Sequence, residues 1–69
     1  MENVYKTIEL TGSSPDSIED AVRNALSFSS RTIRNMRWFQ ISDLRGRIEG
    51  THIDKWQVTV KLAFEVDQE

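Results

Sequence analysis

Apolar and polar positions alternate in two different rhythms along this chain, and the changes of rhythm mark its elements. Val4 to Thr11 (VYKTIELT) is rich in β-branched and aromatic residues and predicts a strand that stops at Gly12. Ser13, Ser14, Pro15 and Asp16 then read as a helix start, with Ser14 as the cap and Pro15 at the first helical position, where a missing N–H costs nothing. Asp16, Glu19 and Asp20 add negative charge near the positive end of the helix dipole. Ile18, Ala21, Val22, Ala25, Leu26, Ser29 and Ile33 follow three-four spacing, and Arg31, Arg34 and Arg37 crowd the far end. This predicts a helix from Pro15 to Asn35, on the order of 30 Å long.

Period two returns from Arg37 to Ile48, with a slip. Phe39 and Ile41 define one apolar face, but Leu44, Gly46 and Ile48 continue it one residue out of phase, so a β-bulge is expected near Ser42–Asp43. Glu49 to Thr51, with Gly50, is the turn, and Ile53 to Val66 is the clearest strand, with Trp56, Val58, Val60, Leu62, Phe64 and Val66 on one side. The predicted order is β-α-β-β, an α+β fold in a single domain over residues 1–69. One helix can cover only one face of such a sheet.

The other face carries the candidate chemistry. If Phe39 and Ile41 point at the helix, then Trp38 and Gln40 point away, as do Arg45 and Arg47 beyond the bulge and Gln57 on the neighbouring strand. Two readings of this grouping stand. Trp38 is either buried at a subunit contact, where tryptophan is enriched, or part of a ligand platform. The platform would offer an indole for stacking, a carboxamide edge for hydrogen bonds and guanidinium for an anion. Other candidates are weaker. His52 has no second imidazole or thiolate beside it, no metal site is expected, and no nucleophile-elbow, P-loop or dinucleotide glycine motif occurs. Trp56 belongs with the core, and Arg31 and Arg34 read as solvated helix-end charges.

Composition changes the picture in one respect: the core is small. Folding about 4,000 Å² of apolar surface out of water contributes on the order of 100 kcal/mol, and ordering the chain costs about as much. There are no cysteines to add disulfides, and the 69 residues hold a single histidine, so self-assembly is the expected supplement. A charged fraction of 29% with a net charge of −2 argues against nucleic acid as a partner. No apolar run suits a membrane, and MENVYKTIEL does not read as a signal peptide, so a cytoplasmic protein is expected.

Three segments, VYKTIELTGSSPDS, RTIRNMRWFQISDLRGRI and WQVTVKLAFEVDQE, together resemble the dodecin family over essentially the whole chain. The specific part is WF-x-I-x-x-L-R-G followed at a fitting distance by Q-V-T-V-K-x-A-F. The resemblance implies a three-stranded antiparallel sheet partly wrapping one long helix, and a hollow homododecamer. It also implies flavin rings paired at two-fold contacts between symmetry-related tryptophans, here Trp38. Gln57 matches the glutamine that hydrogen-bonds the flavin's polar edge, and Arg45 the arginine near its side chain; Arg47 lies on the same face. Two positions depart from close bacterial relatives. Arg37 replaces an acidic residue before the tryptophan, and Glu65 stands where many carry an arginine for the flavin phosphate. The ligand is thus expected to be a flavin, FMN or riboflavin; some bacterial dodecins also bind coenzyme A.

The function this resemblance implies is flavin storage, buffering and photoprotective sequestration, and not an enzyme. A flavin-dependent oxidoreductase, or a structural shell without ligand, are the alternatives.

Overall fold

The structure, a computed structural model, describes residues 3–66; residues 1, 2 and 67–69 of the expected domain lie outside the described residues. Strand β1 runs Tyr5–Ser14, helix α1 Ile18–Ser29, strand β2 Met36–Glu49 and strand β3 His52–Glu65. The sheet order is β1-β3-β2 with both pairings antiparallel, so the last strand is the central one. The expected β-α-β-β order and antiparallel sheet are what the chain forms. Among the described residues no helix is long and apolar enough to cross a membrane.

The helix differs from its expected bounds at both ends. Its cap is Ser17, whose Oγ accepts the Asp20 N–H at 2.9 Å. Ser14 instead ends β1, where its buried Oγ accepts the Asp16 N–H and donates to Asp20 Oδ2 at 2.8 Å. Pro15 therefore precedes the cap. At the other end the Ser29–Ser30 pair stops the helix: the Ser30 hydroxyl takes the Ser27 carbonyl at 2.7 Å, the kind of local bond with which serine competes against helix. Arg31 and Arg34 lie past the last turn and Arg37 belongs to β2.

Strand β1 also runs on through Gly12, and the reason is packing. A Cβ on Gly12 would stand 2.1 Å from the Ala21 carbonyl oxygen and 3.0 Å from the Ala25 methyl group. The missing side chain lets α1 settle onto β1, and Ala21, Val22 and Ala25 close the core against Val58 and Val60, with Leu10, Ile18 and Leu26 at its margin.

Ser42 is the extra residue between the Ile41–Val60 and Asp43–Thr59 pairs, which is the expected bulge. Its hydroxyl donates to Glu9 Oε2 at 2.7 Å, tying β2 across the central strand to β1. Two further irregularities were not legible in the alternation: Arg37 is extra on β2, and Asp54 is extra on β3.

The chief correction concerns β2. Phe39, Ile41, Leu44 and Ile48 do share the helix side of the sheet, opposite Leu62, Val60, Val58 and Ile53. However, α1 rests on β1 and β3 only, and these four residues stay exposed, Ile48 by 72%. Trp56, expected in the core, is only half-buried opposite Gly46. The chain measures 54 × 20 × 13 Å with a radius of gyration of 14.3 Å. A compact domain of this length would have about 11 Å. Its accessible surface is 5220 Å², where a folded monomer of this mass should expose about 4,450 Å².

The helix–strand contact gives a direct test. Gly12→Ala should destabilise the protein by about 1–3 kcal/mol through overpacking, lowering the Tm measured at fixed protein concentration. An unchanged Tm would mean that helix and strand separate here without loss.

Candidate functional site

Successive residues of a strand point to opposite faces, so the register assigns each candidate to a side. Trp38 pairs with Ala63, Gln40 with Lys61, Arg45 with Gln57 and Arg47 with Lys55, all on the face opposite α1. Glu65 shares that face, across from Tyr5. The outward direction expected for Trp38, Gln40, Gln57, Arg45 and Arg47 is what the register gives.

Trp38 is 46% exposed. Its ring leans toward Tyr5, with centroids 6.3 Å apart and planes inclined by 56°. On the helix side of this strand end, a shallow groove of about 240 Å³ is lined by Leu26, Met36, Arg37, Trp38, Phe39 and Leu62. A larger hollow, about 410 Å³, lies under the loop between α1 and β2 and touches neither Trp38 nor Gln57.

The bulge at Arg37 has a chemical outcome. An inserted residue disturbs the strict alternation of sides, and Arg37 reaches the outer face together with Trp38. There its Nε donates to Glu65 Oε1 at 3.0 Å. Arg37 and Glu65 are thus partners of each other. Neither stands as an isolated charge beside the indole.

The other candidates lie elsewhere. Ala63 and Gln57 are six positions apart on β3, about 20 Å of strand. Trp38, Arg37 and Glu65 therefore gather at one end of the sheet, and Gln57, Arg45 and Arg47 at the other. Within one chain the two groups do not meet. Arg45 is engaged with Asp43 at 3.7 Å and Arg47 with Asp54 at 2.9 Å, both pairs largely solvated. Sequence reasoning overlooked Tyr5 and these two aspartates. The period-two pattern of β1 marks Tyr5 as outward, but not that it meets a residue of β2.

Comparison with known proteins is unambiguous. The Dodecin family model matches residues 4–67. The chain belongs to the dodecin family. A dodecin of Thermus thermophilus is 32% identical over 68 residues, covering 99% of each chain. Among solved structures, the dodecin of Streptomyces coelicolor superposes with a TM-score of 0.90 at 39% identity, covering 97% of this chain and 96% of the other. A second structure, from Thermus thermophilus, gives a TM-score of 0.93 at 31% identity over 99% of this chain and 100% of that one.

The Arg37–Glu65 pair can be tested by charge reversal. Glu65→Arg alone should cost no more than about 1 kcal/mol of stability, because the pair is partly exposed. Adding Arg37→Glu should recover most of that loss. Denaturant unfolding of both single variants and the double variant reads the coupling; strictly additive effects would mean the pair contributes nothing.

Proposed function

We propose that this chain binds a flavin between copies of itself and holds it in store without turning it over. The observation that carries this reading is Trp38: a half-exposed indole on the sheet face that no helix covers, in a member of the dodecin family. An indole presented in this way is a stacking surface for a flat, aromatic ligand. Gln57 and Arg45 supply a carboxamide edge and a cation, the groups that the polar edge and side chain of a flavin call for.

The separation of these groups argues for assembly. A flavin ring system is far shorter than the strand between Trp38 and Gln57, so one ring can use both only if they come from different copies. The uncovered apolar side of β2 and the excess accessible surface argue the same way, and a homododecamer with flavins at its two-fold contacts is the assembly proposed. A flavin shut between a second flavin and an indole has no free face for a hydride donor, which favours storage and protection from light over catalysis. An indole in contact should also quench the excited flavin.

Ligand choice follows from charge. Glu65 is already held by Arg37, and Arg45 and Arg47 are each engaged by an aspartate. Exposed charges of this kind contribute about 1 kcal/mol or less each. Riboflavin and FMN should therefore bind within roughly tenfold of one another. Glu65→Arg should favour FMN, and salt should remove much of the gain, since screening acts within about 10 Å.

Five measurements test the reading. The absorption spectrum of the purified protein, followed by riboflavin titration, decides ligand class; no flavin band and no binding would leave only an empty shell. Sedimentation at micromolar concentration should give a closed oligomer, and a stable 8.0 kDa monomer would defeat the assembly. Trp38→Ala should weaken flavin binding by about 1–3 kcal/mol and restore fluorescence in the bound fraction, by analogy with base–aromatic stacking. Gln57→Leu should cost about 1–3 kcal/mol by leaving a polar edge unpaired. Steady oxidation of reduced nicotinamide by the flavin-loaded protein would favour an oxidoreductase instead.

A further inference from the structure

We infer that Tyr5 and Ala63 are positioning residues that hold the Trp38 indole in its stacking orientation, an inference that rests on the stacking role proposed for Trp38. The argument begins with strand order. Tyr5 lies on β1 and Trp38 on β2, with β3 between them. Their backbones are thus separated by two strand spacings, about 9.6 Å, and by an offset along β3, since Tyr5 pairs with Glu65 and Trp38 with Ala63. The ring centroids are nevertheless only 6.3 Å apart. Both side chains lean inward over the central strand.

What lies under that lean is Ala63. It is the cross-strand partner of Trp38 on β2 and of Thr7 on β1, and it points to the face that α1 does not cover. Its neighbour on the same face, Lys61, is exposed, yet Ala63 is 0% exposed. A methyl group on an uncovered sheet face can be hidden only by neighbouring side chains, and those around it are the two leaning rings together with the Arg37–Glu65 pair. The small side chain is what makes the lean possible, because a branched residue would fill the space the rings occupy.

The arrangement suits a stacking surface. Tilted aromatic pairs are an attractive geometry, and with planes inclined at 56° the phenol supports the indole from one side. Trp38 as a residue is still 46% exposed, which leaves the indole accessible to a ligand. A ring held in advance loses less rotational freedom when a ligand stacks on it, so the orientation contributes to affinity although Tyr5 need not touch the ligand.

The test uses Trp56→Phe protein, in which Trp38 is the only indole, carrying Tyr5→Leu, Tyr5→Phe or Ala63→Val. Two quantities are read: the emission anisotropy of Trp38 without ligand, and the riboflavin Kd. Tyr5→Leu should lower the anisotropy and raise the Kd about three- to tenfold, the range expected from loss of one aromatic pair. Ala63→Val should do the same by displacing the indole, and Tyr5→Phe, which keeps the ring, should restore the parent values. Because the two routes are independent, either one decides if the other variant does not assemble. Unchanged anisotropy in Tyr5→Leu or Ala63→Val overturns the inference, even if the Kd rises, since Tyr5 would then act by contact with the ligand. If the parent binds no riboflavin, the proposed function fails, while the anisotropy still shows whether Tyr5 and Ala63 hold the indole.

Discussion

A mismatch of lengths governs this molecule. The twelve-residue helix spans about 18 Å, and the fourteen-residue strands β2 and β3 extend for about 46 Å. Because β3 is central, the helix can sit over β3 and one neighbour, and Gly12 makes β1 that neighbour by allowing the backbones to approach. Everything on the helix side of β2 is consequently left to water or to another protein surface. A row of Phe39, Ile41, Leu44 and Ile48 is a costly thing to leave in water, and exposed apolar rows of this kind mark association surfaces. The same geometry that makes the monomer unfinished also leaves the opposite face of the sheet free for polar and aromatic side chains.

The bulges decide what that free face presents. Ser42 corrects the phase of β2, so that Leu44 returns to the apolar side and Arg45 to the outer one. Without that insertion, the two halves of the strand would contribute opposite faces and neither would be consistently polar. Arg37 works differently. It brings a guanidinium beside Trp38 and onto Glu65, so the aromatic end of the face is electrostatically quiet. The distal end is quiet for another reason, since Arg45 and Arg47 each meet an aspartate.

The order of elements, the Ser42 bulge and the outward direction of Trp38 and Gln57 were all legible in the chain, because period two and its slip are properties of neighbouring residues. The end of the helix was not. Ile33 keeps the three-four rhythm past Ser29, but there the backbone tightens into turns, Arg31 N–H to the Phe28 carbonyl and Thr32 N–H to that of Ser29, while the Ser30 hydroxyl donates to the Ser27 carbonyl. The bulge at Arg37 left no mark either, since Met36, Trp38 and Phe39 are apolar on both sides of the sheet. Without that bulge the register at the start of β2 is unknown, and the pairing of Arg37 with a residue 28 positions away cannot be found. The separation of Trp38 from Gln57 likewise depends on register rather than on local pattern. The dodecin resemblance implied one site for both residues without indicating that one chain holds them far apart.

The place of β3 at the centre has a consequence for biosynthesis. Tyr5 pairs with Glu65 and Ser14 with Trp56, so β1 finds its partner only among residues made some fifty positions later. A nascent chain can form α1 and lay it against β1 through Gly12, but both edges of β1 stay unpaired until β3 has left the ribosome. Such long-range pairing is slow relative to local structure, and an open edge is the feature most prone to stray association in the meantime. The sheet therefore closes only once β3 has been made, and the interval before closure is when β1 is most open to stray pairing.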